Sequence, residues 1–207
     1  MDVRIRHRGI EDYEPIWLEM RGFTEERGPD TLDEFWVLEH KPVFTLGLNG
    51  DRRHVLGPLS APLVNSDRGG QVTYHGPGQL IVYALIDLNR KKLGVRAVVT
   101  GLEQAVIRLL SQYGVRSQAR REAPGVYVEG RKIASLGLRV RRGCSYHGVS
   151  LNVDLDLTPF GAIDPCGQRN LEVTSLARLG VAVRCRETAA PLLLQLIQHF
   201  DYSSIVP

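Results

Sequence analysis

Apolar residues along this chain change their period several times, and each change marks an element. In residues 11–27, EDYEPIWLEMRGFTEER, Tyr13, Trp17 and Met20 recur at helical spacing with Ile16 beside them, which predicts an amphipathic helix. FWVLEH and VFTLG follow as short strands around Pro42. LIVYALIDL is apolar almost throughout, the pattern of a strand buried on both faces. Over residues 96–113, Val99, Leu102, Val106, Leu109 and Leu110 share one face of a second helix, which Gly114 ends. GVYVEGRKIASLGLRV reads as a hairpin turning near Glu129–Gly130, and SYHGVSLNVDLDL as a further strand that alternates towards its end. A third helix runs from about Glu187 to Phe200 with Leu192, Leu193, Leu196 and Ile197 inward. Neither a repeat nor a linker interrupts the chain. Residues 1–207 are therefore expected to form one α+β domain, a mixed, mostly antiparallel sheet with helices packed on it.

Composition narrows the class. With 207 residues, 43% of them hydrophobic, the chain can bury a substantial core. No stretch approaches the roughly 20 apolar residues of a membrane span. MDVRIRHRGIEDYEP has no apolar signal region, and the three cysteines, Cys144, Cys166 and Cys185, fit no disulfide framework. A cytoplasmic protein with reduced thiols is expected. The net charge of +3 is too small to indicate nucleic acid, but arginines cluster at Arg116, Arg120 and Arg121, and again at Arg139, Arg141 and Arg142 beyond Arg131 and Lys132. Such clusters are usually solvated surface; the sharper reading is a face that steers an acidic partner.

One segment is too rich in glycine for a regular element. RGGQVTYHGPGQL, residues 68–80, carries Gly69, Gly70, Gly76 and Gly78. It matches neither GxxxxGK[ST] nor GxGxxG, so it is not a phosphate loop. Its expected task is steric, letting backbone approach a ligand closely and present N–H groups to it. Cys166 lies between Pro165 and Gly167, in a turn that suits a nucleophile better than a core position does. Cys185 reads instead as a small buried hydrophobe. A thiol nucleophile needs a nearby cation or base, because the thiolate is the reactive form. His75, His147 and Lys132 are the candidates, although Lys132 by itself reads as an ordinary hairpin residue facing water. His75, His147 and Cys166 lack metal-ligand spacing, and no metal or other cofactor is expected.

Three segments in order, RGGQVTYHGPGQL, GRKIASLGLRVRRGCSYHGVSLNVDLDLTPF and IDPCG, resemble the lipoyl(octanoyl) transferases of lipoate biosynthesis from about Tyr13 to Leu176. The resemblance implies the fold of the biotin/lipoate protein ligase catalytic domain. It implies transfer of an octanoyl group from octanoyl-acyl carrier protein to a lysine of a lipoyl domain. The acceptors would be the E2 subunits of 2-oxoacid dehydrogenases and the H protein of glycine cleavage. It places the acyl thioester on Cys166, with Lys132 assisting as acid and base. Substrate contacts would come from Arg68, Gly69, Gly70, Gln71, Val72, Thr73, Tyr74 and His75, from Ser135, Leu136 and Gly137, and from Gly148, Val149 and Ser150. His147 is a further candidate for the oxyanion. The glycine loop would then wall a tunnel for an unbranched C8 chain, where a Cβ at Gly69 or Gly70 would intrude. An ATP-dependent lipoate ligase would share the fold without needing the cysteine. A nucleic-acid-binding module would need aromatics between the arginines, which RRGCSYHG hardly supplies. A monomer is expected, because no long exposed apolar face is evident.

Overall fold

The computed structural model describes residues 1–206. Along the chain run β1 (Asp2–Glu11), α1 (Tyr13–Glu26), β2 (Asp33–His40), β3 (Val43–Leu46), β4 (Leu63–Asn65), β5 (Val72–His75) and β6 (Gln79–Leu85). They continue with α2 (Leu88–Lys91), α3 (Val95–Gln112), β7 (Gln118–Ala119), β8 (Gly125–Val128), β9 (Arg131–Arg141), β10 (Cys144–Asn152), α4 (Cys185–His199) and β11 (Ser204–Val206). Eight strands form one sheet in the order β11-β1-β2-β6-β10-β9-β8-β7, and β4-β3-β5 form a second. In the large sheet only the β11–β1 and β1–β2 pairs are parallel; the others run antiparallel.

The two faces of the large sheet are covered differently. Helices α3 and α4 bury Val98, Leu102, Leu109, Leu192 and Leu196 against one face, which presents Val82, Ala84, Val149 and Leu151. Helix α1 lays Ile16 and Met20 on the other, over Trp36, Leu38, Ile81, Tyr83 and Tyr146. Strands β2 and β6 are thus covered on both sides, which explains their nearly unbroken apolar sequence. The small sheet has a core of its own around Phe44, Tyr74, Leu155, Phe160 and Ile163.

Several expectations change. In α3 it is Val98 that is fully buried, whereas Val99 is only half-buried. LIVYALIDL leaves the sheet after Leu85, because the Asp87 carboxylate accepts from Arg90 N and starts α2. SYHGVSLNVDLDL leaves it after Asn152; Val153 and Leu155 stay inward while Asp154 and Asp156 face water, so the alternation survives without strand pairing. α4 starts two residues earlier than Glu187, whose side chain accepts from Arg184 N at 2.8 Å. β1 and β11 were not foreseen, nor was β5 inside the glycine-rich segment.

Candidate active site

A strip of the large sheet beneath β5 is nearly bare of side chains. Ala134, Leu136, Val149 and Leu151 pack towards α3 and α4, so the alternate positions Ser135, Gly137, Gly148 and Ser150 turn to the opposite face. Register sets them side by side, Gly148 opposite Gly137 and Ser150 opposite Ser135. In the next strand, Tyr83 lies opposite Gly148 and Ile81 opposite Ser150. Two glycines keep the strip low. A Cβ on Gly148 would come within 2.0 Å of the Val82 carbonyl oxygen, and one on Gly137 within 2.9 Å of that of Gly69. Roofed by Arg68, Gly70, Gln71 and β5, the strip becomes a furrow of about 520 Å³, including the solvent at its mouth.

Cys166 stands at that mouth. It belongs to a short 3-10 turn, Pro165–Gly167, yet its own φ is +57° and that of Gly167 is +70°. A non-glycine residue in the left-handed region stores strain, which surrounding contacts must hold. They come from a segment far away in sequence. Asp164 N donates to the His54 carbonyl at 2.8 Å, Val55 bridges Ile163, and His54 Nδ1 lies 3.3 Å from the Asp164 carboxylate.

Lys132 meets Cys166 from β9. Its Nζ is 2.8 Å from the thiol sulfur and 3.0 Å from the Pro124 carbonyl, and the residue is only 2% exposed. Across the hairpin, Tyr127 pairs with Lys132 but Val126 pairs with Ala134, so Ile133 is an extra residue in β9. Such a bulge re-aims side chains. It turns Lys132 away from the helix-covered face, to which Ala134 and Leu136 point. Gly125 leaves room for the stem: a Cβ there would sit 2.4 Å from Lys132 Cε.

The inner end is aromatic and uncharged. Tyr83 donates its hydroxyl to His40 Nε2 at 2.6 Å, since His40 Nδ1 is committed to the Glu11 carbonyl at 3.1 Å. Tyr13 shares a 2.6 Å hydrogen bond with Ser66 Oγ and stacks on His75 at 6.0 Å between ring centroids. Burial lowers His40 to about 4 and His75 to about 3, so both rings are neutral at pH 7.

Two polar groups flank the furrow. Asp67 is pushed up by burial, yet hydrogen bonds from His147, Tyr146 and Trp17 outweigh this and bring it to about 2. Burial lowers His147, and its Nε2 hydrogen is given to Asp67 at 2.9 Å. Nδ1 then carries only a lone pair and has no partner. His147 is therefore an acceptor here, not the oxyanion donor anticipated from the sequence. Arg68 is also buried, and its bonds go to oxygens of Thr45, Gly69 and Gln71, none of them a carboxylate. Among the described residues, no group of three His, Cys, Asp or Glu could hold a metal ion, and no helix is long and apolar enough to cross a membrane.

Residues 13–197 match the family described as the lipoyl protein ligase A/B catalytic domain. The chain belongs to that family. It is 58% identical over 197 residues to the octanoyltransferase of Methylococcus capsulatus, covering 95% of each chain. Its fold is that of lipoate-protein ligase A bound with ATP, with a TM-score of 0.76 at 13% identity, covering 100% of this chain and 90% of that one. The biotin protein ligase from Aquifex aeolicus, in complex with biotin and ATP, is similar at a TM-score of 0.61 and 11% identity, covering 96% of this chain and 70% of that one. The expected fold class is thereby borne out.

In this member of the family, most of the residues singled out from the sequence come together around one furrow. Arg68, Gly70, Gln71, Val72, Thr73 and His75 line the furrow, as do Ser135–Gly137, His147–Ser150 and Cys166. Gly69 does not; a Cβ there would meet the Leu138 carbonyl at 3.1 Å, so that glycine serves the approach of loop to strand. Tyr74 points away, onto Phe44 and Phe160. Lys132 is buried rather than solvated. Tyr13, Ile81 and Tyr83 also line the furrow and were not foreseen, because helix and strand periodicity accounts for each of them as core.

Proposed function

We propose that this chain is an octanoyltransferase that carries the acyl group as a thioester on Cys166, with Lys132 moving the protons. One observation supports this most: an enclosed ammonium lies 2.8 Å from a thiol at the mouth of a furrow without charged side chains on its floor. The donor is octanoyl-acyl carrier protein. The Cys166 thiolate attacks the thioester carbonyl, and the carrier's C–S bond breaks. The departing carrier thiolate takes a proton from the Lys132 ammonium, which leaves Lys132 neutral. The amine of a lipoyl-domain lysine then attacks the acyl-enzyme. Its proton passes to Lys132 as the C–S bond to Cys166 breaks, restoring thiolate and ammonium. With His147 unable to donate, backbone N–H groups of the Gly70–Gln71 segment are the candidates to face the oxyanion. Lipoyl domains of 2-oxoacid dehydrogenase E2 subunits and the glycine cleavage H protein are the acceptors, and the single domain acts as a monomer.

Intact-mass spectrometry after incubation with octanoyl-carrier, without ATP, tests this reading. A single octanoyl adduct on Cys166, discharged by a lipoyl domain, is the expected result. Octanoylation that requires free octanoate and ATP, with no adduct, would make the chain a ligase instead.

A further inference from the structure

The furrow has a definite length, which the strand register supplies. It opens above β9, where Lys132 meets Cys166, crosses β10, and stops at Tyr83 on β6. Two strand spacings of about 4.8 Å each make roughly 10 Å. A staggered hydrocarbon with bonds near ~1.5 Å advances about 1.3 Å per carbon, so eight carbons span roughly 9 Å. Behind Tyr83 there is no further room. Trp36 and Leu38 stand opposite Tyr83 and Ile81 in β2, 0% and 3% exposed, beneath Ile16 and Met20 of α1.

The end wall is also held still. Tyr83 cannot swing to another rotamer without stripping His40 Nε2 of its buried partner, which carries a penalty of about 1–3 kcal/mol. Tyr13 packs edge-on to His40 at 5.2 Å, and His147 edge-on to Tyr83 at 5.9 Å. The hydroxyls of Tyr13 and Tyr83 are both committed, to Ser66 and His40.

We infer that Tyr83, fixed by His40, is the wall that sets acyl-chain length, and that Ser135, Gly137, Gly148 and Ser150 form the floor the chain lies on. This rests on the transferase reading. A chain of eight carbons reaches the ring, whereas each further methylene must displace a packed wall. Removing the ring should therefore lengthen the preferred chain, and filling the floor should shorten it.

The experiment presents C4 to C12 acyl-carrier thioesters to the wild type, Tyr83→Ala and Ser150→Leu, reading acylation rates and the Cys166 adduct by intact mass. Tyr83→Ala is expected to raise the rate ratio of C12 to C8 by about 10–100-fold, the scale of pocket discrimination by methylene. Ser150→Leu is expected to shift the preference towards C4 by a similar factor. Tyr83→Leu replaces the alanine variant if melting curves show it unfolded. An unchanged C12 to C8 ratio in a folded variant that still forms the octanoyl adduct would overturn the assignment of Tyr83. Absence of any adduct in the wild type would instead strike the transferase reading, so the two failures are distinct.

Discussion

At the mouth of the furrow Cys166 is half-buried in a left-handed turn, tied to His54 and Asp164 by a few hydrogen bonds and paired with an ammonium. At the inner end Tyr13, His40, His75 and Tyr83 are all buried and neutral: His40 bonds Tyr83 and the Glu11 carbonyl, Tyr13 bonds Ser66, and His75 bonds Gln79 and Thr45. The mouth concentrates charge and conformational strain on a loop that two macromolecular substrates must reach in turn. The inner end puts neutral rings on regular helix and strand, where packing fixes shape but supplies no reactivity. Reaction and recognition are thus divided along one channel. Changes at the mouth should affect rate with little effect on stability, and changes inside should do the reverse or alter selectivity.

The largest expected effect tests the mouth. Cys166→Ser should remove the adduct and slow transfer by at least ~10³-fold, whereas Cys144→Ser and Cys185→Ser, both at buried thiols, should leave transfer within a few-fold. Wild-type turnover by Cys166→Ser, measured on a lipoyl domain, would end the distinction between the two regions. Lys132 comes next. Lys132→Arg keeps the cation but cannot give up a proton, so single-turnover transfer should fall by about 10²–10⁴-fold while iodoacetamide still alkylates Cys166 near neutral pH. Transfer at the wild-type rate would leave Lys132 as a charge alone.

Acid should act on the inner end first. His40 and His75 have folded values of about 4 and about 3, below the ordinary 6.5. Below pH 6.5 the unfolded chain takes up protons that the folded one refuses, so stability falls as pH drops towards 4. Each histidine contributes about 1.4 kcal/mol per pH unit in that window. Asp67, held at about 2, loses its contribution only below the ordinary carboxylate range near 3.8. Urea midpoints at pH 7, 6 and 5 should therefore decline steadily; a flat series would mean the inner histidines are accessible to protons. The smallest effect concerns the outer arginines. Arg141 pairs with Glu25 at 2.9 Å and Arg142 with the Glu25 carbonyl, so Arg139 is the better candidate to meet an acidic carrier. Arg139→Glu should raise KM for octanoyl-carrier a few-fold and weaken its salt dependence, with acceptor KM unchanged.

The elements legible in the sequence were those whose periodicity is local. Helices α3 and α4 and the Glu129–Gly130 turn, with φ of +49° and +87°, were read nearly to the residue. DVRIRHRGIE concealed β1 because only Val3 is fully buried; the strand exists through pairing with β2 and β11, which no window of sequence displays. At the site, the PCG turn marked Cys166, while Lys132 was one of three candidate partners for it and was singled out only by the family resemblance. The residues themselves suggested a solvated lysine, since alternation cannot reveal an extra residue in a strand. Tyr13 and Tyr83 were invisible as site residues for a related reason. Core and cavity use the same aromatic side chains, and only the bare strip opposite them tells the two apart.

The extra residue at Ile133 has a consequence for how this hairpin can vary over evolutionary time. Glu129 and Arg131 form a surface ion pair at the tip, and identity there is free to drift. The length of β8 is not. One residue inserted between Val126 and Tyr127 would give Ile133 a partner, restore simple alternation along β9 and put Lys132 on the side of Ala134, among the leucines of α3. That single insertion would thus remove the proton carrier and bury an ammonium in hydrocarbon. Lineages that keep the chemistry must keep β8 one residue short of its partner, a missing residue inherited as if it were part of the active site.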